Sequence, residues 1–484
     1  MILPATKDLE IELKLELTPE GMAALIASTL WGEPPIPLNQ DAIYFDTPAQ
    51  ALRRSGLFLR IRREGERRVQ TVKASGTAAG LFMRPEWERE VRDDQPVLDN
   101  TIPVTAAIGD DAAAIAPIFR IENERRQWNS CGIEISLDCG KAIANGRETR
   151  FIEIELEQKN GDCAEIFALA RKIDAMAPVH LGVMSKAEQG YRLLGPVPAA
   201  AKAQRIVLEE NLNVAAALQA IGFACLRHYR LNVPLIIDNL DAAALHQARV
   251  AIRRLRSALS IQRRIFTDRR LPELNAELRW LAAELGKARD IDVVIEQGRW
   301  ASAATQLQDA RAIAYRDVTT TLQSDRARGL IIDLVEWLTA GDWLFDARNE
   351  QARAICVRDA AAMTLKKLRR KVKKCGRNFE ELDDESRHDL RKTAKKLRYA
   401  VDFFATLYSS KQDRRRLKRF TSSLEQLQEN LGDLNDLSAI PEILQRVGIV
   451  AGAHQSNPKL KSHLLEHAQK HYTKLIRAKR FWCN

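Results

Sequence analysis

The chain has 484 residues, which is more than one hydrophobic core supports and predicts two or three domains. Hydrophobic residues make up 45% of it, its mean hydropathy is −0.30, and its apolar runs are far too short to span a bilayer, which argues against a membrane protein. The seven cysteines are scattered and form no Cys-x-x-Cys pair, so we expect no zinc site and a cytoplasmic location.

The net charge of +11 is unevenly distributed along the chain. Residues 1–204 contain 25 Lys and Arg against 30 Asp and Glu, a balance of −5, whereas the remainder has a balance of +16. A segment rich in proline and alanine at 195–201 lies just before this change. We therefore predict one domain at 1–200 and a second at 206–484, and we expect the second to bind a polyanion.

Six segments of the first domain alternate apolar and charged side chains with the period of a β-strand. The first of them places Glu10, Glu12, Lys14 and Glu16 on one face. The others are residues 57–62, 71–73, 87–91, 133–138 and 151–157. A sheet of such strands can leave its charged face in water, or it can close into a barrel around a polar lumen. Because carboxylates suit hard cations and Arg and Lys suit phosphate, such a lumen would be a metal–polyphosphate site.

The order of these motifs resembles the CYTH superfamily, the triphosphate tunnel metalloenzymes, whose signature is an N-terminal Glu-x-Glu-x-Lys. Residues 10–14 match that signature. The further matches, in the family's order, are segments 44–48 and 59–62, Lys73, Glu88 with Glu90, Asp138 with Gly140, Glu153 with Glu155, and Ser185 with Lys186. The resemblance implies an α+β chain whose N-terminal domain is an antiparallel β-barrel enclosing a tunnel.

The resemblance also implies roles for the charged side chains of the tunnel. Mg²⁺ or Mn²⁺ would be bound by Glu10, Glu12, Glu153, Glu155 and Asp138, with Glu88, Glu90 and Glu134 assisting. The phosphates of a linear triphosphate would be bound by Lys14, Arg60, Arg62, Lys73, Arg125 and Lys186. The catalytic set would be Glu10, Glu12, Lys14 and Lys73. No nucleophilic residue is needed, because water attacks the phosphoryl group in line.

The second domain is predicted to be all-helical, because its apolar residues recur at helical spacing from about residue 207. It contains a repeat, since segment 246–256 returns at 388–398 with each position displaced by 142 residues. In each copy, four side chains fall at i, i+3, i+7 and i+10, and so lie on one helix face. They are His246, Arg249, Arg253 and Arg256 in the first copy and His388, Arg391, Lys395 and Arg398 in the second. We predict two halves at about 206–345 and 346–484, related by an internal two-fold.

This repeat resembles the CHAD domain, a helical module of polyphosphate-associated proteins. The resemblance implies that the two stripes bind long-chain polyphosphate and that the protein associates with polyphosphate granules. Basic runs can also serve nucleic acid, but the aromatic content is only 6% and no recognition or stacking motif is present, which argues against that partner.

Three functions stay open from the sequence. The first is metal-dependent hydrolysis of inorganic tripolyphosphate to pyrophosphate and phosphate. The second is an enzyme of the same superfamily that acts on thiamine triphosphate or a nucleoside triphosphate, or that forms cyclic AMP. The third is a polyphosphate-binding protein whose barrel only senses its ligand. The strand segments contain no obvious aromatic cage for an organic group, which favours the first.

Overall fold

The computed structural model describes residues 11–28, 30–32, 34–74, 86–197, 199–262, 266–449 and 458–482. The chain divides into two compact units. The first comprises residues 1–201 with 323–340, and the second comprises residues 202–322 with 341–484. Among the described residues, no helix combines the length and apolar character needed to cross a membrane.

The first unit is built on one antiparallel sheet, as the alternating pattern predicted. Its strands are β1 (Ile11–Glu16), β2 (Leu38–Asp46), β3 (Leu57–Glu64), β4 (Arg67–Ala74), β5 (Glu86–Glu90), β6 (Ala116–Ser130), β7 (Ile133–Ala144), β8 (Arg147–Gln158) and β9 (His180–Leu181). Their order is β5-β4-β3-β2-β6-β7-β8-β1-β9. Two-residue turns join β6 to β7 and β7 to β8, and both turn residues have positive φ, which matches the twist of a hairpin.

The described residues also form fifteen α-helices. They are α1 (Pro19–Ala27), α2 (Ala51–Arg54), α3 (Val104–Ile108), α4 (Cys163–Met176), α5 (Lys186–Leu193), α6 (Val214–Asn239), α7 (Ala242–Gln262), α8 (Leu271–Glu296), α9 (Ala304–Gln323), α10 (Asp325–Ala340), α11 (Glu350–Ala354), α12 (Val357–Cys375), α13 (Asp384–Phe404), α14 (Lys411–Arg446) and α15 (Pro458–Arg477). The first five helices and α10 lie in the first unit. The second unit is helical, as its residue spacing predicted.

One face of the sheet is apolar and is covered by helices. On β1 this outer face carries Leu13 and Leu15, which are fully buried. Helix α4 packs against β1 and β8. It buries Ile166, Phe167, Ala170 and Ile173. Replacing Phe167 with alanine would leave a cavity here and cost about 3–5 kcal/mol of unfolding free energy.

The opposite, inner face of the sheet is apolar at one end, where α5 packs against it. The ring of Tyr191 on α5 meets the ring of Phe119 on β6 edge-on, with centroids 5.1 Å apart. Gly190 permits this approach, because a Cβ at that position would lie 2.2 Å from the Phe119 ring. Helix α5 therefore closes this end of the inner face as a plug.

The start of α5 lies at the charged end of the inner face. Ser185 and Glu188 form a capping box, in which each side chain accepts a hydrogen bond from the backbone N–H of the other residue. This cap fixes the first helical residue, Lys186. Its ammonium group lies 5.5 Å from the centroid of the Phe151 ring and points among the charged residues of the sheet.

In the second unit, the two copies of the repeated motif lie on α7 and α13, which contact each other. Both helices are capped by aspartate: Asp241 accepts from the N–H groups of Ala243 and Ala244, and Asp383 accepts from that of Ser386. The two caps are also 142 residues apart, so the repeat extends to the helix starts. The two-fold relation between the halves stays a prediction.

Candidate metal and polyanion sites

Three carboxylates meet at the charged end of the inner face. Asp138 lies on β7 and is paired in register with Glu153 on β8. Glu155 projects beside Glu153, because alternate residues of a strand share a face. One oxygen of each carboxylate lies within 4.8 Å of the others. This set, which we call the acid cluster, offers only oxygen ligands and so fits a hard divalent cation such as Mg²⁺ or Mn²⁺.

Two cations of the sheet are bonded to the acid cluster. The Nζ atom of Lys14 lies 2.9 Å from Glu153 and 2.7 Å from Glu155. Arg125 donates to Asp138 at 2.6 Å and to Glu155 at 2.9 Å. Burial opposes the charge of both cations, but the nearby carboxylates together outweigh it, with Glu153 the largest of them for Lys14 and Asp138 for Arg125, so both pKa values are raised. Arg125 therefore faces the acid cluster, and its role in binding phosphate stays a prediction.

Lys186 is the third cation bonded to the acid cluster. Its Nζ atom lies 2.8 Å from Asp138 and 3.1 Å from Glu155, and it also contacts Glu153. Burial would lower the pKa of Lys186, but these carboxylates raise it well above its ordinary value. Burial would likewise raise the pKa of Glu155, yet Lys14 and then Lys186 hold it well below its usual range. Three cations thus neutralise three acids, which lets all six charges be buried.

Glu12 lies beside the acid cluster. Burial, followed by the charge of Glu155, raises the pKa of Glu12 to about 7, while Lys14 and Lys73 act in the opposite direction. Lys73 is on β4, which is near the opposite end of the strand order from β1. The sheet must therefore curl for these two side chains to interact. Closure into a complete barrel stays a prediction, because β5 and β9 remain sheet edges in the described part of the chain.

Arg60, Arg62 and Lys73 form a second group on the inner face, which we call the basic arm. Burial opposes the charge of Arg60, but Tyr44 and then Glu86 together outweigh it, so the pKa of Arg60 is raised. Burial, and then the charge of Arg60, lowers the pKa of Arg62. Lys73 pairs at 2.9 Å with Glu86 at the edge of the sheet. In the described residues the buried Nε atom of Arg60 has no hydrogen-bond partner.

The remaining predicted acids lie apart from the acid cluster or are not described. Glu10 lies outside the described residues. Glu88 is exposed and accepts a hydrogen bond from Thr71 at 3.0 Å. Glu90 pairs with the exposed Arg67 on the neighbouring strand β4, and Glu134 accepts a hydrogen bond from the exposed Gln127 on the neighbouring strand β6. In the described part of the chain, none of these three acids is hydrogen-bonded to a residue of the acid cluster.

Asn123 is a residue of this site that the sequence analysis missed. Its Nδ2 atom donates to Asp138 at 2.7 Å and to Gln40 at 3.2 Å. Its Oδ1 atom is buried and has no hydrogen-bond partner in the part of the chain described. The sequence signal that could have identified Asn123 is its position two residues before Arg125 on one strand, because this spacing places both side chains on the same face.

In the second unit, the stripes of α7 and α13 meet at Arg253, and we call the eight residues of the two stripes the basic helical site. Burial, and then the charge of Arg253, lowers the pKa of Lys395 on α13 to about 7 and that of Arg249 on α7 to about 10. The pKa of Arg391 is also lowered, first by burial. The Nε atoms of Arg253 and Arg391 are buried without a hydrogen-bond partner among the described residues.

The other members of the stripes have mostly neutral partners, and Arg398 in addition lies 4.0 Å from Asp402. The Nδ1 atom of His388 lies 2.9 Å from the side-chain oxygen of Asn435. Arg256 and Arg398 each lie 3.4 Å from a neutral amide oxygen. Burial, and then Arg289, lowers the pKa of His246 to about 4, so this imidazole is uncharged at neutral pH. Most of the positive charge therefore lies with the arginines and Lys395, where neighbouring cations repel one another.

Two family models match this chain. The CYTH domain matches residues 8–191 and the CHAD domain matches residues 220–445. An inorganic triphosphatase of Haemophilus influenzae is 28% identical over 200 residues, which are 38% of this chain and 54% of that protein. The match thus spans about half the length of that relative.

Two further similarities extend into the helical half. An uncharacterized protein of Mycobacterium tuberculosis is 25% identical over 454 residues, covering 82% of each chain. The crystal structure of a CHAD domain from Ricinus communis shares 26% identity, with a TM-score of 0.46, and covers 58% of this chain and 93% of that one.

Proposed function

The chain combines a CYTH domain with a CHAD domain, and we propose that the first hydrolyses inorganic tripolyphosphate to pyrophosphate and phosphate with Mg²⁺ or Mn²⁺. The observation that carries the proposal is that the acid cluster and the basic arm share the inner face of the sheet. One side offers oxygen ligands for a cation and the other offers cations for phosphate. The similarity to the inorganic triphosphatase of Haemophilus influenzae supports hydrolysis of a triphosphate.

The basic arm binds the phosphates. Arg60 is the best placed of its residues, because its buried Nε atom has no partner in the described structure and can donate to a phosphate oxygen. Each charge-assisted hydrogen bond of this kind contributes about 1.5–3 kcal/mol. Arg62 and Lys73 neutralise the charge that spreads over the equatorial oxygens as the phosphoryl group transfers.

The acid cluster, joined by Glu12, would hold the cation. A divalent cation held by these carboxylates would supply polarisation of a phosphoryl group and a lowered pKa for an attacking water molecule. Lys14, Arg125 and Lys186 already neutralise the cluster, so a bare dication gains little by entering. A triphosphate complex with Mg²⁺ is an anion, which the basic arm attracts. We therefore expect the cation and the substrate to bind together.

The surroundings of the site favour an inorganic substrate. Two aromatic rings close to the charged end, Tyr44 and Phe151, are buried in the apolar core that α5 closes. Tyr44 is stacked on Phe119 with ring centroids 4.6 Å apart. The facing sides of these two rings are therefore closed to a base. Among the described residues of this face, a nucleobase or a thiamine ring would find charged side chains but no stacking surface.

We propose that the basic helical site binds longer polyphosphate chains. Arg253, Arg391 and Lys395 lie close enough to repel one another, and two of them keep buried donor atoms without partners in the described residues. A linear polyanion with evenly spaced charges would relieve the repulsion and satisfy these donors. A single phosphate would reach only part of either stripe.

The enzymatic proposal is tested by the release of phosphate from tripolyphosphate, ATP and thiamine triphosphate, measured side by side with Mg²⁺, with Mn²⁺ and with a chelator. We expect tripolyphosphate to give the highest kcat/KM and the chelator to abolish turnover. Faster hydrolysis of either organic triphosphate would contradict the inorganic substrate. Full turnover in chelator would contradict the role of the metal.

A further inference from the structure

Helix α10 lies within the residues that the CHAD family model matches, yet it packs in the first unit. There it contacts α4 and the short strand β9. Residues 182–185 join β9 to α5, whose first residue is Lys186. A helix from the CHAD match therefore lies against the segment that leads into the acid cluster.

Arg328 of α10 is only 5% exposed, and each of its three side-chain nitrogens donates a hydrogen bond. One terminal nitrogen donates to the backbone carbonyl of Gln323, and the other donates to Asp325 at 2.7 Å. The start of its own helix thus holds the guanidinium group. The Nε atom then donates to Asp174 on α4 at 2.6 Å, so Arg328 fixes the place of that carboxylate.

Asp174 extends this constraint to the segment that contains β9. The Oδ1 atom that accepts from Arg328 also accepts from the backbone N–H of Val179 at 3.0 Å, one residue before the strand. Further along, the N–H of Gly182 donates to the carbonyl of Lys14 at 2.8 Å. The side chain of Lys14 rests on this glycine, where a Cβ would lie 2.5 Å from Lys14 Cγ. A shift of the segment would therefore move Lys14 as well as Lys186.

We propose that Arg328 is a positioning residue of the acid cluster, which acts through Asp174 on the segment 179–186 and so sets the places of Lys14 and Lys186. Both lysines pair with carboxylates of the acid cluster. A helix within the CHAD match thereby contributes to the geometry of the site on the sheet. The effect on turnover rests on the proposed function, whereas the positioning itself does not.

The same two helices provide a matched control. Arg171 of α4 pairs with Asp333 at 2.6 Å and with Glu336 at 2.7 Å on α10. Arg171→Ala removes these ion pairs between the helices but leaves the hydrogen bonds of Asp174 to Arg328 and Val179 in place. It separates the docking of α10 in general from the proposed path.

The proposal is tested in the full chain with the variants Arg328→Ala, Asp174→Ala and Arg171→Ala. Amide hydrogen exchange of residues 177–186 is measured by mass spectrometry, and the exposure of Lys186 is measured by its extent of reductive methylation. In the first two variants we expect this segment to exchange about tenfold faster, the equivalent of one lost hydrogen bond, and Lys186 to be methylated more. Arg171→Ala should match the parent in both readouts.

A milder variant covers the case in which Arg328→Ala does not fold. Arg328→Lys keeps the positive charge but replaces the three-way contact with a single ammonium group, so it should show the same changes to a smaller extent. Parent-like exchange and methylation in Asp174→Ala and in the Arg328 variants would overturn the proposal. Equal changes in Arg171→Ala would overturn the path through Asp174.

Turnover of tripolyphosphate in the same proteins gives the functional consequence. We expect kcat/KM to fall roughly ten- to 100-fold in Arg328→Ala and Asp174→Ala, because small displacements of positioned groups have effects of this size. Arg171→Ala should keep the parent kcat/KM even where its melting temperature falls as far. Parent-like kcat/KM in variants with faster exchange would overturn the role in catalysis. A parent chain without turnover would contradict the proposed function, and exchange and methylation would still decide the positioning.

Discussion

The acid cluster and the basic helical site both gather partly buried cations, but their charges are balanced differently. On the sheet, Lys14, Arg125 and Lys186 each contact carboxylates, so their pKa values are raised. On the helices, burial and neighbouring cations lower the pKa values of Arg249 and Lys395. In the first site the cations and the carboxylates are paired with one another within the protein. In the second, Asp290 and Asp436 only partly offset the repulsion among the cations, so a bound polyanion would add counter-charge.

The largest expected effect comes from unbalancing the acid cluster. Glu155→Gln removes one proposed metal ligand and leaves Lys14 and Arg125 with surplus charge. We expect turnover of tripolyphosphate to fall by roughly 10²–10³-fold, the effect of losing several kcal/mol of transition-state stabilisation. Steady-state phosphate release measures it.

The matched control is Glu157→Gln, two residues along the same strand, where the carboxylate bonds to Lys159 at 2.5 Å. It should keep near-parent turnover. Equal turnover in the Glu155→Gln and Glu157→Gln variants would remove the acid cluster from the mechanism.

The basic arm should give a smaller loss. Arg60→Ala deletes a buried donor to phosphate, so kcat/KM for tripolyphosphate should fall by the equivalent of about 1.5–3 kcal/mol, roughly ten- to 150-fold. Arg67→Ala, on the same strand pair but exposed and bonded to Glu90, is the control and should have little effect. A parent-like kcat/KM in Arg60→Ala, at an unchanged melting temperature, would show that phosphate is bound elsewhere.

The lowered pKa of Lys395 predicts the pH dependence of polyphosphate binding. With a pKa of about 7 in the free protein, Lys395 is charged at pH 6 and mostly neutral at pH 8. A bound polyanion favours the charged form, so binding at pH 8 should take up a proton and should be weaker than binding at pH 6. Calorimetry in two buffers of different ionisation enthalpy measures the proton uptake.

Lys395→Arg separates this effect from general screening. Arginine keeps its charge across the range, so the variant should bind long polyphosphate with no proton uptake at pH 8. Uptake of a proton by the variant equal to that of the parent would assign the effect to another group.

The smallest expected effect concerns stability without any ligand. Arg253 lies among like charges on both helices, and Arg253→Met removes their repulsion while keeping an apolar side chain. We expect the unfolding free energy to rise by about 0.5–1 kcal/mol, the usual scale of a partly screened charge interaction. Calorimetric melting measures it, and Lys392→Met, an exposed lysine of α13 paired with Asp389, is the control. A lowered melting temperature in Arg253→Met alone would contradict the repulsion.

The parts of the molecule that follow local periodicity could be predicted from the sequence. Strand alternation placed Lys14, Glu153 and Glu155 on one face, and helical spacing placed Arg253 and Lys395 on their stripes. These patterns fix which side of an element a residue occupies, because the backbone repeats every two or every 3.6 residues. The predictions of an antiparallel sheet and of a helical second half are confirmed, because both rest on these same backbone periodicities.

The contacts between distant elements could not be predicted in this way. Asn123 joins the acid cluster only because β6 and β7 pair in one register. The pKa of Glu12 depends on Lys73, which is near the other end of the strand order. Helix α10 groups with the first unit although residues 202–322 of the second unit precede it in the chain. Each of these depends on tertiary packing, which no local spacing records.

The most direct test of the division between the two sites measures two quantities on the same three proteins: tripolyphosphate turnover and the Kd for long-chain polyphosphate. The proteins are the parent, Glu155→Gln, and the double variant Arg253→Ala, Lys395→Ala. The account predicts that Glu155→Gln loses turnover and keeps polyphosphate binding, and that the double variant does the reverse. The account is contradicted if the double variant loses turnover as fully as Glu155→Gln, or if it keeps the parent Kd. Either result would mean that hydrolysis and polyanion binding are not divided between these two sites.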